Sequence, residues 1–126
     1  MADSSRILIA DDHPLVRGAL RQAVAGAVPG AIISECGDMD ELSASLEKAK
    51  GADLVLLDLN MPGVRGFSGL MYMRAQYPDV PVVVVSANEE RDTIRRCIDF
   101  GASGYIPKAS DVEVMRDAVR QVLDGG

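Results

Sequence analysis

A chain of 126 residues is the size of one domain and can bury a core without disulfide or metal staples. Its 48% hydrophobic and 25% charged residues exclude a disordered chain. A formal net charge of -6 argues against nucleic-acid binding, since phosphates need a basic surface.

Along the chain, short apolar runs alternate with longer amphipathic segments. Arg6–Ala10 (RILIA) reads as a strand, and Pro14–Ala27 as a helix with proline in its first turn. Ala31–Cys36 is a second, weaker strand, followed by a helix over Asp40–Ala49 that Gly51 ends. Leu54–Leu57 is a third strand, running straight into Asp58, and Phe67–Gln76 a third helix before Pro78 and Pro81. Val82–Val85 is a β-branched, proline-bounded fourth strand, followed by a helix over Arg91–Phe100 that Gly101 closes. Tyr105–Ile106 makes a short fifth strand and Val112–Leu123 the last helix.

This βα unit, five times over, has strands too apolar to leave a wet face, which calls for a parallel sheet with helices on both sides. Right-handed crossovers make a doubly wound, flavodoxin-like α/β fold the expected closure, with strand order 2-1-3-4-5. No leader and no apolar run of membrane-spanning length is present in the sequence, so a cytoplasmic protein is expected. Cys36 and Cys97, in no metal-binding spacing, read as small buried thiols.

Ligands of open α/β sheets bind outside the carboxyl ends of the strands. There the first strand delivers Asp11 and Asp12, the third Asp58, the fourth Ser86, and the fifth Lys108. Three converging carboxylates repel one another unless they share a cation, and oxygen ligands without His or Cys select Mg²⁺. A lysine and a serine opposite them suit a phosphoryl group, and a carboxylate in such a cradle can be the nucleophile that forms an aspartyl phosphate. Singly, each residue has a plainer explanation: Asp11–Asp12 as a helix cap, Ser86 as a loop cap, Lys108 as a surface lysine. Their common location at one sheet edge is what outweighs these. His13 is read as a surface residue outside the set, and Met61, Met71, Met73 and Met115 as packing.

With Asp11–Asp12 after the first strand, Asp58 in DLNMPG, Ser86–Ala87 and Lys108, the chain resembles a two-component response-regulator receiver domain over its whole length. DDHPLVR and GASGYIPKAS are more particularly similar to the NarL/FixJ (LuxR-type) transcription regulators. The resemblance implies one receiver domain over 1–126, with the helix-turn-helix output domain of that subfamily outside this sequence. It implies that Asp58 accepts phosphate from a sensor histidine kinase. Asp12, Asp58 and the main-chain carbonyl of Asn60 would hold Mg²⁺, with Asp11 helping through water. Lys108, Ser86 and the N–H of Ala87 would bind the phosphoryl oxygens, and Ser86 moving toward them would free Tyr105 to turn inward. Such a domain is no enzyme beyond its own phosphorylation and dephosphorylation. Ala109 stands where many receivers have proline, so the usual cis bond there cannot be assumed, and the sequence leaves the isomer open.

Two other readings fit less well. A haloacid-dehalogenase-type phosphatase needs a second aspartate where this chain has Asn60, and its acidic pair comes late in the chain. A nucleotide-binding module lacks its GxGxxG, and ADDHPLVRG puts two negative charges where a pyrophosphate would lie. Finally, Val112, Met115, Val119 and Val122 of the last helix should face the sheet, leaving Val114 and Ala118 outside. Val16, Leu20 and Val24 of the first helix likewise leave Leu15 outside. These surplus residues, with the subfamily resemblance, suggest a phosphorylation-dependent homodimer through the first and last helices.

Overall fold

The computed structural model describes residues 5–125. In chain order the elements are β1 (Arg6–Ala10), α1 (Pro14–Ala27), β2 (Ile32–Cys36), α2 (Met39–Ala49) and β3 (Leu54–Asp58). They continue with α3 (Ser68–Gln76), β4 (Val82–Ser86), α4 (Arg91–Asp99), β5 (Gly104–Pro107) and α5 (Val112–Leu123). The strands form one parallel sheet in the order β2-β1-β3-β4-β5, as expected for the flavodoxin-like fold.

Because side chains alternate across a strand, the apolar runs build two cores at once. Ile7 and Ile9, Leu54 and Leu56, and Val83 and Val85 face α1 and α5, meeting Leu20, Val24, Met115 and Val119. Leu8, Val55, Leu57, Val82 and Val84 face the other helices, meeting Leu42, Leu46, Leu70, Met73 and Cys97. All but the first residue of β1, and all of β3 and β4, are buried.

The edges depart from the sequence reading. In β2 only Cys36 is buried, and Ile32 is exposed, so the expectation of strands without a wet face holds for the centre of the sheet only. An edge strand has a strand neighbour on one side only, and β2, paired with β1 and touching α1 and α2, leaves its outer side open. Met71 is exposed, whereas Met61, Met73 and Met115 are buried; with Leu70 and Met73 turned to the core, helical period puts Met71 outside.

Helix ends follow local chemistry. The Asp38 carboxylate accepts the Glu41 N–H at 2.8 Å to start α2, and the Glu41 carboxylate accepts the Gly37 N–H at 2.6 Å. α2 ends through Lys50 in the left-handed region (φ 58°), one residue before the glycine expected to end it. On α5, Met115 and Val119 are buried with Val112 and Val122 packed beside them, as the period predicts. Leu15 is 90% and Val114 54% exposed. Ala118 is half-buried against the α1–α5 core instead, so the surplus apolar stripe narrows to Leu15 and Val114.

Candidate functional site

β3 and β4 each run one residue further than their apolar runs, so Asp58 and Ser86 lie inside the hydrogen-bonded sheet. Asp58 pairs in register with Val85, and Ser86 with Pro107. Two polar side chains are thereby fixed at the carboxyl edge by ladder bonds rather than by loops, and both are fully buried. β1 ends one residue short of Asp11, whose N–H bonds the Cys36 carbonyl at 2.9 Å and continues the edge. Beyond β5, the Lys108 N–H bonds the Ser86 carbonyl at 2.9 Å, which aims the lysine back over the sheet.

The side chains converge. Lys108 Nζ donates to Asp58 Oδ2 at 2.9 Å and lies 3.4 Å from Asp11 Oδ2. Asp58 Oδ1 accepts the Asn60 N–H at 2.9 Å, so the turn after β3 orients the carboxylate. That turn is completed at Gly63, whose φ of 86° suits glycine and where a Cβ would sit 2.7 Å from the Met39 side chain. Burial pushes the Asp58 carboxyl above its ordinary value; the bonds from Asn60 and Lys108 oppose this, and the Asp11 charge adds to it.

Asp11 Oδ1 accepts the His13 N–H at 2.7 Å. Its Oδ2 is buried and has no hydrogen-bond partner. With the Lys108 ammonium 3.4 Å away but no hydrogen bond made, this buried oxygen favours a further positive partner. Asp12 is 37% exposed and stands at the mouth of the site. Donor atoms of Asp11, Asp12, His13 and Asp58 all lie within 4.8 Å of one another. This donor set and the orphaned Asp11 oxygen fit a hard dication.

His13 is exposed, as the sequence suggests, but it does not stand apart from the set. Its Nδ1 lies 2.8 Å from Lys108 Nζ, 3.2 Å from Asp11 Oδ1 and 3.3 Å from Asp12 Oδ1. Sequence spacing carries no sign of this, because the ring is turned inward by the bond between its own N–H and Asp11.

On the other side of the site, Ser86 Oγ accepts the Asn88 N–H at 3.1 Å, and Ala87 is exposed beside it. Tyr105 is partly buried against the core of α2, α3 and α4, and its hydroxyl donates to the Asn88 carbonyl. Its hydroxyl and Ser86 Oγ therefore hold the same loop residue, one at the carbonyl and the other at the N–H. Burial raises the Tyr105 phenol, and the nearby Ser86 hydroxyl opposes this. The Lys108–Ala109 peptide is trans. Cys36 and Cys97 are free, buried thiols, both pushed up by burial. Among the described residues no helix is long and apolar enough to cross a membrane.

Comparison with known proteins bears on this edge. The response regulator receiver domain model matches residues 7–120. The chain is 42% identical over 120 residues to the glycerol metabolism activator of Pseudomonas putida, an alignment spanning 95% of this chain and 54% of that protein. It is 32% identical over 120 residues to the nitrate/nitrite response regulator protein NarP of Escherichia coli (strain K12), spanning 95% of this chain and 55% of the other. The chain thus spans about half the length of these curated relatives. The solved signal receiver domain of NarL from Mycobacterium tuberculosis superposes with a TM-score of 0.80 at 27% identity, covering 99% of this chain and 100% of that one. The chain belongs to the receiver-domain family of two-component response regulators.

Proposed function

We propose that Asp58 is the phospho-acceptor of this receiver domain, taking a phosphoryl group from the phosphohistidine of a sensor histidine kinase. The observation that carries this is a fully buried carboxylate at the sheet edge, 2.9 Å from a lysine ammonium and beside a second buried aspartate. An Asp58 carboxylate oxygen attacks phosphorus, the phosphorus–nitrogen bond breaks, and its electron pair leaves with the imidazole, giving an acyl phosphate. Lys108 favours the ionised form of Asp58 against the effect of its burial, and then pairs with the phosphoryl oxygens. Ser86 Oγ accepts from Asn88, which leaves its own hydrogen to donate, and the Ala87 N–H stands next to it. Asp11, Asp12, Asp58 and the Asn60 carbonyl would hold Mg²⁺, which when bound offsets the carboxylates and the phosphoryl charge. The only chemistry this implies is the domain's own phosphorylation and dephosphorylation.

The readout would run through the loop after β4. Once the Ser86 hydroxyl turns to the phosphoryl group, Asn88 is held from one side only, and the Tyr105 contact then sets the loop and the start of α4. Regulation of transcription through a separate DNA-binding domain is the output that the named relatives suggest. The net charge of -6 suits a domain that leaves nucleic-acid contact to another one. A cytoplasmic setting accords with the two unpaired thiols and with a kinase as donor. Self-association through α1 and α5, strengthened by phosphorylation, is supported by Leu15 and Val114, both large, apolar and exposed on adjoining helices.

Incubation with acetyl phosphate, followed by intact-mass measurement, tests the chemistry. One phosphoryl adduct that requires Mg²⁺ is expected, and a chain that stays unmodified overturns the proposal.

A further inference from the structure

We propose that His13 is a further donor to the cation, making this an N,O site that prefers a transition dication such as Mn²⁺ over Mg²⁺ more strongly than an all-oxygen receiver site would. The inference rests on the metal-dependent reading of the site above and concerns one residue which that reading does not use.

Three observations carry it. First, His13 Nδ1 lies among the oxygens: 3.2 Å from Asp11 Oδ1, 3.3 Å from Asp12 Oδ1 and 3.9 Å from Asp58 Oδ2. Separations of this size suit donors arranged around one ion, since ligands about 2 Å from a metal stand roughly 3 Å from one another. Second, Nδ1 is the ring nitrogen that faces the site, 2.8 Å from the Lys108 ammonium. The ammonium can only donate, and a ring with its proton on Nε2 presents its Nδ1 lone pair there. Neutral imidazole with a free Nδ1 lone pair is the form that binds metals. Third, Asp11 Oδ2 is buried, its side chain 1% exposed, and accepts no hydrogen bond, with the Lys108 ammonium 3.4 Å away as its ionic neighbour. The site therefore lacks a positive charge that Lys108, already bonded to Asp58, does not fully supply.

The backbone holds this ring in place. The His13 N–H is fixed to Asp11 Oδ1 at 2.7 Å, and Pro14 begins α1 immediately after, so the residue between them has little freedom. Binding a cation would move the Nδ1 lone pair from Lys108 to the metal. That releases the ammonium toward Asp58 and toward whatever oxygen arrives there. Imidazole favours first-row transition ions, and carboxylate and water favour Mg²⁺, so one nitrogen among oxygens shifts the preference without abolishing Mg²⁺ binding.

His13 is the only histidine in the sequence, which makes the test specific. Tag-free protein loaded with Mn²⁺, natural or labelled with ¹⁵N-histidine, is examined by pulsed electron paramagnetic resonance. A directly bound nitrogen coupling that changes isotope with the label, and disappears in His13→Ala, is expected. Calorimetry should show the ratio of Mn²⁺ to Mg²⁺ affinity falling in that variant by about tenfold or more, since even loss of an outer-sphere partner costs roughly 10–100-fold. Mn²⁺ bound with no histidine nitrogen coupling overturns the inference. Phosphorylation of the wild type by acetyl phosphate with Mg²⁺, run on the same preparation, separates the two claims. If it succeeds without a nitrogen coupling, His13 alone has been misassigned; if it fails, the reading of the site is wrong.

Discussion

Lys108 Nζ and Asp58 Oδ2, fifty residues apart in sequence, lie 2.9 Å from each other at the carboxyl edge of the sheet. The lysine side chain is 12% exposed and the aspartate 0%, so the pair is screened little by water. Two ladder-fixed elements define its geometry: β3 carries Asp58, and the Lys108 N–H is bonded to the end of β4.

Removing the cation of this pair leaves both Asp58 and Asp11 as buried carboxylates without a counter-charge. Lys108→Ala is therefore expected to lose roughly 1–3 kcal/mol of stability in Mg²⁺-free buffer at neutral pH. Added Mg²⁺ should recover much of that loss, because a ligand at about 100 times its Kd adds about 2.7 kcal/mol. Urea unfolding with and without the ion checks this. A variant as stable as the wild type in chelator would show that the lysine is not offsetting the buried carboxylates.

The acid itself should behave oppositely. Burial holds Asp58 above the ordinary carboxylate value in the folded chain, so that chain keeps a proton the unfolded one has lost. Its contribution to stability is present below the unfolded value and fades as pH rises through the folded one. Asp58→Asn cannot ionise, so in Mg²⁺-free buffer its stability relative to the wild type should grow across that window. It should exceed the wild type near neutrality. Denaturation at a series of pH values measures the difference directly. A difference that shrinks with rising pH would mean that Lys108 and Asn60 outweigh burial.

Much of this site is legible in the sequence, for physical reasons. Buried parallel strands leave unmistakable apolar runs, and a charge at the end of such a run, as in LVLLD, is itself a signal. What is not legible depends on tertiary neighbours. Ile32 is exposed only because β2 ends up at an edge, and Ala118 is half-buried only because α5 lies beside α1. Asp58 and Ser86 fall inside strands that polarity alone would end one residue earlier. His13 joins the carboxylates through a backbone bond to Asp11 that no periodicity records.

Tyr105 and Ser86 meet at Asn88, so removing the phenol should act on the loop and leave the acceptor alone. Tyr105→Phe loses the hydrogen bond to the Asn88 carbonyl, worth about 1 kcal/mol, while keeping the ring against the core. Hydrogen exchange over 87–91 should accelerate about fivefold, with phosphate uptake at Asp58 unchanged. Equal exchange in both proteins would remove Tyr105 from the readout.

The dimer proposal turns on a small surface. Val114 is 54% exposed on α5 and Leu15 90% exposed on α1. A charge placed there by Val114→Arg should weaken self-association of the beryllofluoride-treated protein and leave the folded monomer intact. Sedimentation equilibrium on the two proteins gives the answer. Association indifferent to the arginine would assign the contact to another face of the molecule.

The claim on which the rest depends is that Asp58 carries the phosphoryl group. Protein treated with acetyl phosphate and Mg²⁺, reduced with borohydride to convert an acyl phosphate to homoserine, and digested for peptide mass mapping identifies the residue. Homoserine is expected at position 58 alone, and none when Mg²⁺ is chelated. Homoserine at Asp11 or Asp12, or an adduct that persists in Asp58→Asn, would contradict it.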